Sequence, residues 1–511
     1  MGKKFVGIGL SYLLIVVDIA VGIFFVPFLL QALKAEEYGL YKLMVSTASY
    51  LSVLDFGIGG TITRYVVKFR TENKRREEEN LLGMGFLIYG GLSLLVVIIA
   101  VAISALIPIM YNGSISAEQF TYAQTMFLVI CANTAVNLFN HAYNGLLLAY
   151  EKYSFQKITN IVKVLLRVLL IIVIFLKVKM GIFIAIVDLV LSISLLVVNM
   201  IYSKYRLKCR IKLHNWDTVL LKEVLIFTLA ILAQSVINQF NSNVDNIVLG
   251  IFSTTTAAVA MYSIALQLFN MYSSLSTAVS SIYLPSVSKA VFKGEDDDAI
   301  TERVVAPSRI QLVVLLLALS GFLLFGNDFI TLWVGKSYKD AYLITSILFI
   351  SATLELSQNS ITSVLKAKNI LHGKTLILGI STLVNIILTV VLVPPLGPVG
   401  AAIGTAFSMV FGYGLALNIY YKKKAKLNMK LYYKKTYKGI LLAAAVSSVI
   451  GIGIWWLVSL INCNIYLTFA IEGIAYVCVY ATIMLLIGLN KQEKEMVKSF
   501  MDRILKRFVL K

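Results

Sequence analysis

Charged side chains are scarce in this chain, and their scarcity excludes most soluble proteins. Only 14% of the 511 residues are charged, whereas 59% are hydrophobic. A soluble domain has about 25% charged and about 45–50% apolar residues. The 7 prolines and 32 glycines are also too few for a collagen-like or low-complexity chain. The remaining class is a helical membrane protein, in which each span needs about 20 apolar residues.

Motifs for metals, disulfides and nucleotides are missing as well. The three histidines lack the H-E-x-x-H spacing, and no P-loop sequence occurs. No C-x-x-C spacing links the four cysteines, which are Cys131, Cys209, Cys463 and Cys478. We therefore expect no cofactor, no disulfide framework and no ATP bound through a P-loop.

Basic residues outnumber acidic ones, with 46 Lys and Arg against 26 Asp and Glu, a net charge of +20. In a soluble protein this would indicate a nucleic-acid partner, but cytoplasmic membrane loops carry a similar excess. The basic residues concentrate in the loops at 68–80, 204–216 and 422–438, whereas 112–120 has none. We expect the three basic loops and both termini to be cytoplasmic, and no nucleic-acid partner.

Hydrophobic segments predict an all-α polytopic membrane protein with about 14 transmembrane helices. The predicted spans are 5–33, 38–67, 81–111, 121–150, 158–177, 180–203, 218–252, 257–288, 303–334, 338–366, 373–394, 398–422, 436–461 and 464–489. In the tail, Met496, Phe500, Ile504 and Val509 recur near helical spacing among basic residues. This pattern predicts an amphipathic helix on the cytoplasmic leaflet.

The chain also contains a weak internal repeat. Tyr41 and Tyr262 are 221 residues apart, and Lys68 and Lys289 have the same separation. Because six spans return a chain to its original side, helices 1–6 and 7–12 are predicted to form two parallel lobes. Such repeats are typical of transporters, whose binding sites lie between the repeats. The predicted N-terminal lobe is 1–215 and the predicted C-terminal lobe is 216–430. Helices 13 and 14 occupy 431–490, and the amphipathic tail is 491–511.

Polar side chains recur on one face of several predicted spans. Asparagines in helix 4 and polar residues in helix 7 are spaced four, three and four residues apart. Interhelical hydrogen bonds are the simpler explanation for any one of these faces. Their number favours a hydrated central cavity, because uncompensated polar groups are costly in hydrocarbon. The predicted cavity-lining residues are Asn133, Asn137, Asn140, Asn144, Gln234, Asn238, Asn241, Gln267, Asn270 and Glu355.

Arg64, Lys163 and Arg167 are basic residues within the predicted spans. Lys163 and Arg167 share one face of helix 5. Arg64 is near the predicted cytoplasmic end, where snorkelling is an alternative, whereas Arg167 is deeper. A structural ion pair remains open for Arg167, and its candidate partners are Asp18, Asp55 and Asp188.

Several segments resemble polysaccharide flippases of the multidrug/oligosaccharidyl-lipid/polysaccharide exporter superfamily, which is MATE-like. These segments are Glu36-Glu37-Tyr38-Gly39-Leu40-Tyr41, Leu54-Asp55-Phe56-Gly57-Ile58 and Asp245-Asn246-Ile247-Val248-Leu249-Gly250, with Tyr262 and Pro285. The resemblance implies that an undecaprenyl-diphosphate-linked oligosaccharide, of O-antigen or teichoic-acid type, moves from the inner to the outer leaflet. Arg64, Lys163 and Arg167 are then predicted to bind the anionic diphosphate of this substrate. It places the protein in the bacterial cytoplasmic membrane and implies no enzymatic step. The implied partners are the lipid-linked oligosaccharide, membrane lipids, a polysaccharide polymerase and other assembly proteins.

The resemblance also implies coupling to Na⁺ or H⁺. Asp245, Asn385 and Thr389 are the candidate residues here for the sodium site of related lipid flippases, but the second acid of that site is missing. Sodium is the one metal ion that this resemblance implies. Proton coupling is the alternative, and its candidate residues are Asp18, Asp55 and Asp245.

Two other functions stay open. A drug/cation antiporter of the same superfamily would need acidic residues concentrated in its lobes and less cationic surface. A membrane-embedded polysaccharide polymerase or glycosyltransferase usually needs a large outer loop or a carboxylate-rich cytoplasmic loop. The outer loops predicted here are short.

Overall fold

The computed structural model describes residues 2–55, 57–460, 464–495, 497–499 and 502, which form helices joined by short turns and contain no strand. In chain order the α-helices are α1 (Gly2–Ser49), α2 (Ile58–Thr71), α3 (Arg75–Met110), α4 (Phe120–Ala149), α5 (Tyr153–Phe175), α6 (Ile182–Tyr205), α7 (Thr218–Phe252), α8 (Ala257–Phe292), α9 (Asp297–Trp333), α10 (Ala341–Ser357), α11 (Ile361–Ala367), α12 (Leu371–Ser408), α13 (Leu417–Lys423), α14 (Met429–Tyr437), α15 (Ile440–Ser459) and α16 (Ile465–Ile483). Short 3₁₀ segments occur at Tyr50–Asp55, Ala117–Gln119 and Lys336–Tyr338, and π-helical segments at Met409–Ala416 and Met484–Gly488.

The predicted all-α membrane fold is confirmed. Within the described residues, nine helices are long and apolar enough to cross a membrane, or ten if α10 and α11 form one bent span. The total of 14 spans stays a prediction. The prediction of an amphipathic tail rests on Met496, Phe500, Ile504 and Val509, which lie outside the described residues.

Two of these candidate spans are too long to cross the membrane once. Val16–Thr71 has 56 residues and Leu371–Lys423 has 53. At about 1.5 Å per residue each would extend for about 80 Å, against about 30 Å of hydrocarbon. The first is broken at Lys34 (φ 62°) and the second at Gly397 (φ 56°), both in predicted loops. Each therefore has the length and the break of two consecutive spans.

The chain divides into two compact units. Unit 1 is Met1–Ile264 with Thr382–Gly404, and unit 2 is Ala265–Ser381 with Thr405–Lys511. The middle of α12 thus belongs with α7 in unit 1. The two units are defined by contacts between residues. The two six-helix lobes are inferred from the sequence repeat, and they stay a prediction.

Close packing of α2 against α4 shapes the interior of unit 1. A Cβ atom added to Gly145 of α4 would lie 2.3 Å from the Gly59 carbonyl oxygen of α2, so glycine is required there. The Thr63 hydroxyl donates to the Gly145 carbonyl at 2.9 Å across the same contact. This contact holds the start of α2 beside the C-terminal part of α4.

In unit 2 the C-terminal helices α15 and α16 pack against α9. Their shared core includes Leu312, Phe325, Ile440 and Tyr476, all buried. The Tyr476 hydroxyl donates to the Ser320 hydroxyl of α9 at 2.5 Å. The two helices beyond the predicted repeat are therefore an integral part of unit 2.

Candidate functional site

Three basic residues and one carboxylate lie together in unit 1, on α1, α5 and α6. We call Lys42, Lys163, Arg167 and Asp188 the cationic cluster. Arg167 and Asp188 form a bidentate ion pair, with Nε donating to Oδ1 at 2.5 Å and Nη2 to Oδ2 at 3.1 Å. Nη2 also lies 3.5 Å from the Tyr41 hydroxyl. The side chains of this pair are 27% and 22% exposed.

The two lysines complete the cationic cluster. Lys163 donates to the Ser192 hydroxyl at 2.9 Å, one turn beyond Asp188 on α6. The charges of Lys42 and Lys163 both interact with Arg167 and Asp188. Three cations against one carboxylate leave an excess of positive charge among apolar helices.

The structure answers the question about Arg167, because its partner is Asp188 rather than Asp18 or Asp55. It brings Lys163 and Arg167 together and adds Lys42, which the sequence reasoning missed. Arg64 is exposed on α2, where its guanidinium lies 5.9 Å from the Tyr65 ring centre. Asp18 is exposed on α1.

A second polar group, the Asp55 pair, consists of Asp55 and His141. Asp55 Oδ1 accepts a hydrogen bond from the Tyr89 hydroxyl at 2.9 Å, and Oδ2 lies 3.0 Å from His141 Nδ1. The His141 side chain is 48% exposed. His141 also interacts with the charge of Lys163, which places the Asp55 pair beside the cationic cluster. Sequence reasoning missed the pairing of His141 with Asp55.

The asparagines of α4 do not share one role. Asn137 donates to Asn133 along the helix at 3.2 Å, and both are half-buried. Asn140 is only 2% exposed and donates to the Ser192 carbonyl of α6 at 3.0 Å. It also accepts from Asn199 at 3.3 Å. The cavity-lining prediction is therefore wrong for Asn140, because its amide joins α4 to α6.

A third group brings together residues of α7, α8 and α12. We call Asp245, Tyr262, Asn385 and Thr389 the Asp245 group. Asp245 accepts from the Tyr262 hydroxyl at 2.5 Å and from the Thr389 hydroxyl at 3.0 Å. Thr389 Oγ1 also lies 3.2 Å from Asn385 Oδ1. Asp245, Asn385 and Thr389 are 4%, 1% and 0% exposed, respectively. The three candidate residues for the sodium site are thus in contact.

The oxygen atoms of the Asp245 group fit a hard monovalent cation. Such ions prefer carboxylate, carbonyl and hydroxyl oxygens, and the group supplies all three kinds. The Thr389 hydroxyl has one proton but lies near two acceptor oxygens. Among the described residues there is no cluster of three or more His, Cys, Asp or Glu side chains that could hold a metal. The donor set therefore suits Na⁺ or a proton.

The other predicted cavity residues are spread over several helices. Gln234 donates to Asn238 along α7 at 3.0 Å, and Asn241 of the same helix accepts from Thr382 at 2.9 Å. The remainder are half-buried or exposed: Asn144 on α4, Gln267 and Asn270 on α8, and Glu355 on α10. That these residues line a cavity stays a prediction.

Sequence reasoning missed one buried cation in unit 2. Arg309 of α9 is 5% exposed, pairs with Glu493 at 2.5 Å and donates to the Gly488 carbonyl at 2.7 Å. Another donor reaches the Lys435 carbonyl at 2.7 Å. Since protein groups engage this guanidinium on several sides, Arg309 holds the ends of neighbouring helices together. The position of Arg309 inside the predicted span 303–334 was the available signal.

Comparison with known proteins identifies the family. Residues 6–292 match the family model described as "Polysaccharide biosynthesis protein". The "Probable flippase AglR" of Haloferax volcanii is 31% identical over 179 residues, covering 34% of this chain. The match spans 36% of that relative, just over a third of its length.

Two solved structures share the fold. The lipid II flippase MurJ, in its inward closed conformation, matches with a TM-score of 0.71 and 17% identity, covering 94% of this chain and 98% of that one. An inward-facing multidrug resistance MATE family transporter matches with a TM-score of 0.65 and 13% identity, covering 80% of this chain and 96% of that one. The two solved structures share the fold of this chain. The chain is therefore a multi-pass membrane protein of the polysaccharide biosynthesis protein family.

Proposed function

We propose that this protein is a flippase for an undecaprenyl-diphosphate-linked oligosaccharide in the bacterial cytoplasmic membrane. It moves the lipid from the inner to the outer leaflet for surface polysaccharide synthesis, and both of its termini are cytoplasmic. The observation that carries this proposal is the excess of positive charge in the cationic cluster. Charge inside a membrane is costly and therefore marks a functional site by default. A diphosphate supplies the negative charge that these cations lack.

The geometry of Arg167 suits phosphate recognition. A guanidinium has five N–H donors, and Asp188 and Tyr41 engage those of Nε and Nη2. Within the described residues Nη1 makes no hydrogen bond, so two donors point away from the ion pair. Asp188 thus orients the guanidinium while leaving donors for a phosphate oxygen, to which arginine binds well.

Lys163 and Lys42 extend the same positive surface. Lys163 uses one donor on Ser192 and keeps two. Even with Asp55 counted, the three cations outnumber the carboxylates. A passing diphosphate would exchange its water for these donors, the lipid tail would stay in the bilayer, and no covalent bond would break.

The driving energy for alternating access comes from coupling to Na⁺ or H⁺. Asp245, Asn385 and Thr389 would hold Na⁺, which would supply a charge that neutralises the buried carboxylate. In the proton-coupled case Asp245 or the Asp55 pair takes up the proton. Na⁺ dependence and H⁺ dependence of transport distinguish these two assignments.

Translocation of a labelled lipid-linked oligosaccharide by purified protein in vesicles tests the proposal. We expect the labelled sugar to reach the opposite leaflet with its length unchanged. Elongation or transfer of the sugar would instead indicate a polymerase or glycosyltransferase. Transport of small cationic drugs without lipid translocation would indicate the antiporter function of the MATE relatives.

A further inference from the structure

A pocket of about 550 Å³ lies in unit 1, away from the cationic cluster, on the predicted cytoplasmic side. Its walls are the end of α2, the start of α3, the residue after α4 and the segment that follows α6. That last segment is anchored to α3, since the backbone N–H groups of His214 and Asn215 donate to Asn80 Oδ1 at 2.8 and 3.0 Å. Lys212 N–H donates to the Glu79 carbonyl at 3.3 Å. These hydrogen bonds hold the segment after α6 against α3, and so fix this wall of the pocket.

Positive charge converges on this pocket. Its charged lining residues are Arg70, Arg75, Glu78, Glu79, Lys208 and Arg210. Protein donors already engage both acids: the Tyr150 hydroxyl donates to Glu78 at 2.6 Å, and Glu79 lies 3.5 Å from Arg75 and 3.2 Å from His214.

Most of the basic groups lack such partners. Lys208 and Arg210 are exposed and form no ion pair within the described part of the chain. The Arg70 guanidinium lies 3.6 Å from the centre of the Tyr150 ring, which holds it in place by a cation–π contact without neutralising it. Four cations against two occupied carboxylates leave a net positive cavity large enough for a small polar ligand.

We propose that this pocket binds a phosphate-bearing anion, either the headgroup of a membrane lipid or a soluble phosphate compound. A general excess of basic residues in cytoplasmic loops accounts for the number of cations but not for their convergence on one cavity. Arginine recognises phosphate with paired N–H donors, and the pocket offers three arginines. The proposal does not depend on transport, so it stands or falls separately from the flippase function.

Cys209 provides a reporter inside the pocket. Its side chain is half-buried and lines the cavity. Burial raises the pKa of the Cys209 thiol, so alkylation is slow at neutral pH and is best followed at alkaline pH. A ligand in the pocket should cover this thiol and slow the reaction further.

The test uses full-length protein in which the other cysteines are replaced: Cys131→Ala, Cys463→Ala and Cys478→Ala. Alkylation of Cys209 by the uncharged reagent N-ethylmaleimide is timed with and without inorganic pyrophosphate. The same measurement in phosphatidylcholine nanodiscs, with or without phosphatidylglycerol, tests a lipid headgroup. Comparing rates with and without ligand within each variant removes the effect of a mutation on the thiol itself.

The pocket variant carries Arg75→Gln, Lys208→Gln and Arg210→Gln, which leaves the Arg70–Tyr150 contact in place. The matched control carries Lys422→Gln, Lys423→Gln and Lys424→Gln, an equal loss of exposed charge in another predicted cytoplasmic loop of the chain. Loss of charge-assisted hydrogen bonds should raise the concentration for half-protection about tenfold in the pocket variant only. A second variant, Arg75→Lys with Arg210→Lys, should keep partial protection.

Protection by pyrophosphate alone supports the proposal with a soluble ligand, and protection by phosphatidylglycerol alone supports it with a lipid headgroup. Two results would overturn it. One is the absence of protection by either probe, and the other is an equal loss of protection in the control variant, which would indicate general surface charge. Protein that elutes as a single monodisperse species, with unchanged helix content, excludes misfolding as the cause.

Discussion

The cationic cluster and the Asp245 group both place charge among apolar helices of unit 1, but in opposite ways. In the cationic cluster three bases face one carboxylate, and the Arg167–Asp188 pair is about a quarter exposed. In the Asp245 group one carboxylate is 4% exposed and is surrounded by hydroxyl and amide oxygens. An open site with excess positive charge suits a bulky anion, whereas a closed set of oxygens suits a small cation.

Among the substitutions that test this difference between the two sites, removal of Arg167 should reduce transport the most. Arg167→Ala deletes the donors offered to phosphate and leaves Asp188 without its ion partner. Because charge-assisted hydrogen bonds contribute about 1.5–3 kcal/mol each, we expect translocation of the lipid-linked oligosaccharide to fall about 100-fold. Rates in proteoliposomes at matched protein content measure the change.

A double variant separates binding from structural pairing at the same position. Arg167→Gln with Asp188→Asn removes both charges and keeps hydrogen-bonding groups of similar size. If Arg167 binds phosphate, this variant folds normally and remains inactive. Restored transport would show that the pair serves structure alone, and full activity of Arg167→Ala would refute both roles.

Asp245→Asn should cause the next largest change, of a different kind. The substitution keeps an oxygen ligand and removes the negative charge that a cation or proton neutralises. We expect ion-driven translocation to fall about tenfold and to lose its dependence on the ion gradient. Glu118→Gln, an exposed acid outside the predicted spans, is the control and should leave the gradient dependence intact.

Thr389→Val tests whether the hydroxyl of the Asp245 group contributes to ion coupling. The change preserves shape and removes one oxygen ligand, so the concentration of ion for half-maximal transport should rise by about threefold to tenfold. Titration of transport against Na⁺ at constant pH, and against pH without Na⁺, measures this shift. A change in neither titration would remove Thr389 from the coupling site.

The smallest expected effects are on protein stability, and they test whether an asparagine of α4 bonds to a neighbouring helix or only within α4. Asn140→Ala removes two bonds between α4 and α6, and at about 0.6 kcal/mol per bond in membranes it should destabilise the protein by about 1 kcal/mol. Asn137→Ala, whose bond stays within α4, is the matched variant and should unfold like the native protein. Thermal unfolding in detergent measures which variant is less stable. Equal stabilities of the two variants would contradict the assignment of Asn140 to an interhelical contact.

Local patterns in the sequence were enough to predict the class of protein and most helix positions. Hydropathy over about 20 residues is a local property, so α7 begins and ends where its span is predicted. The predicted loops near Lys34 and Gly397 coincide with breaks in two long helices. The 3.6-residue period placed Lys163 with Arg167, and Asn385 with Thr389, each on one helical face.

Hydropathy and helical periodicity could not predict which distant parts of the chain contact one another. Asp245 and Thr389 are 144 residues apart, and only resemblance to known flippases placed them together before the fold did. Polar spacing along α4 is the same whether an asparagine faces water or α6, so Asn140 could not be distinguished from Asn137. The partner of Arg167 also stayed open among three acids until α5 and α6 were packed side by side. Helical periodicity specifies the face of a helix, but which neighbour covers that face depends on the packing of the whole fold.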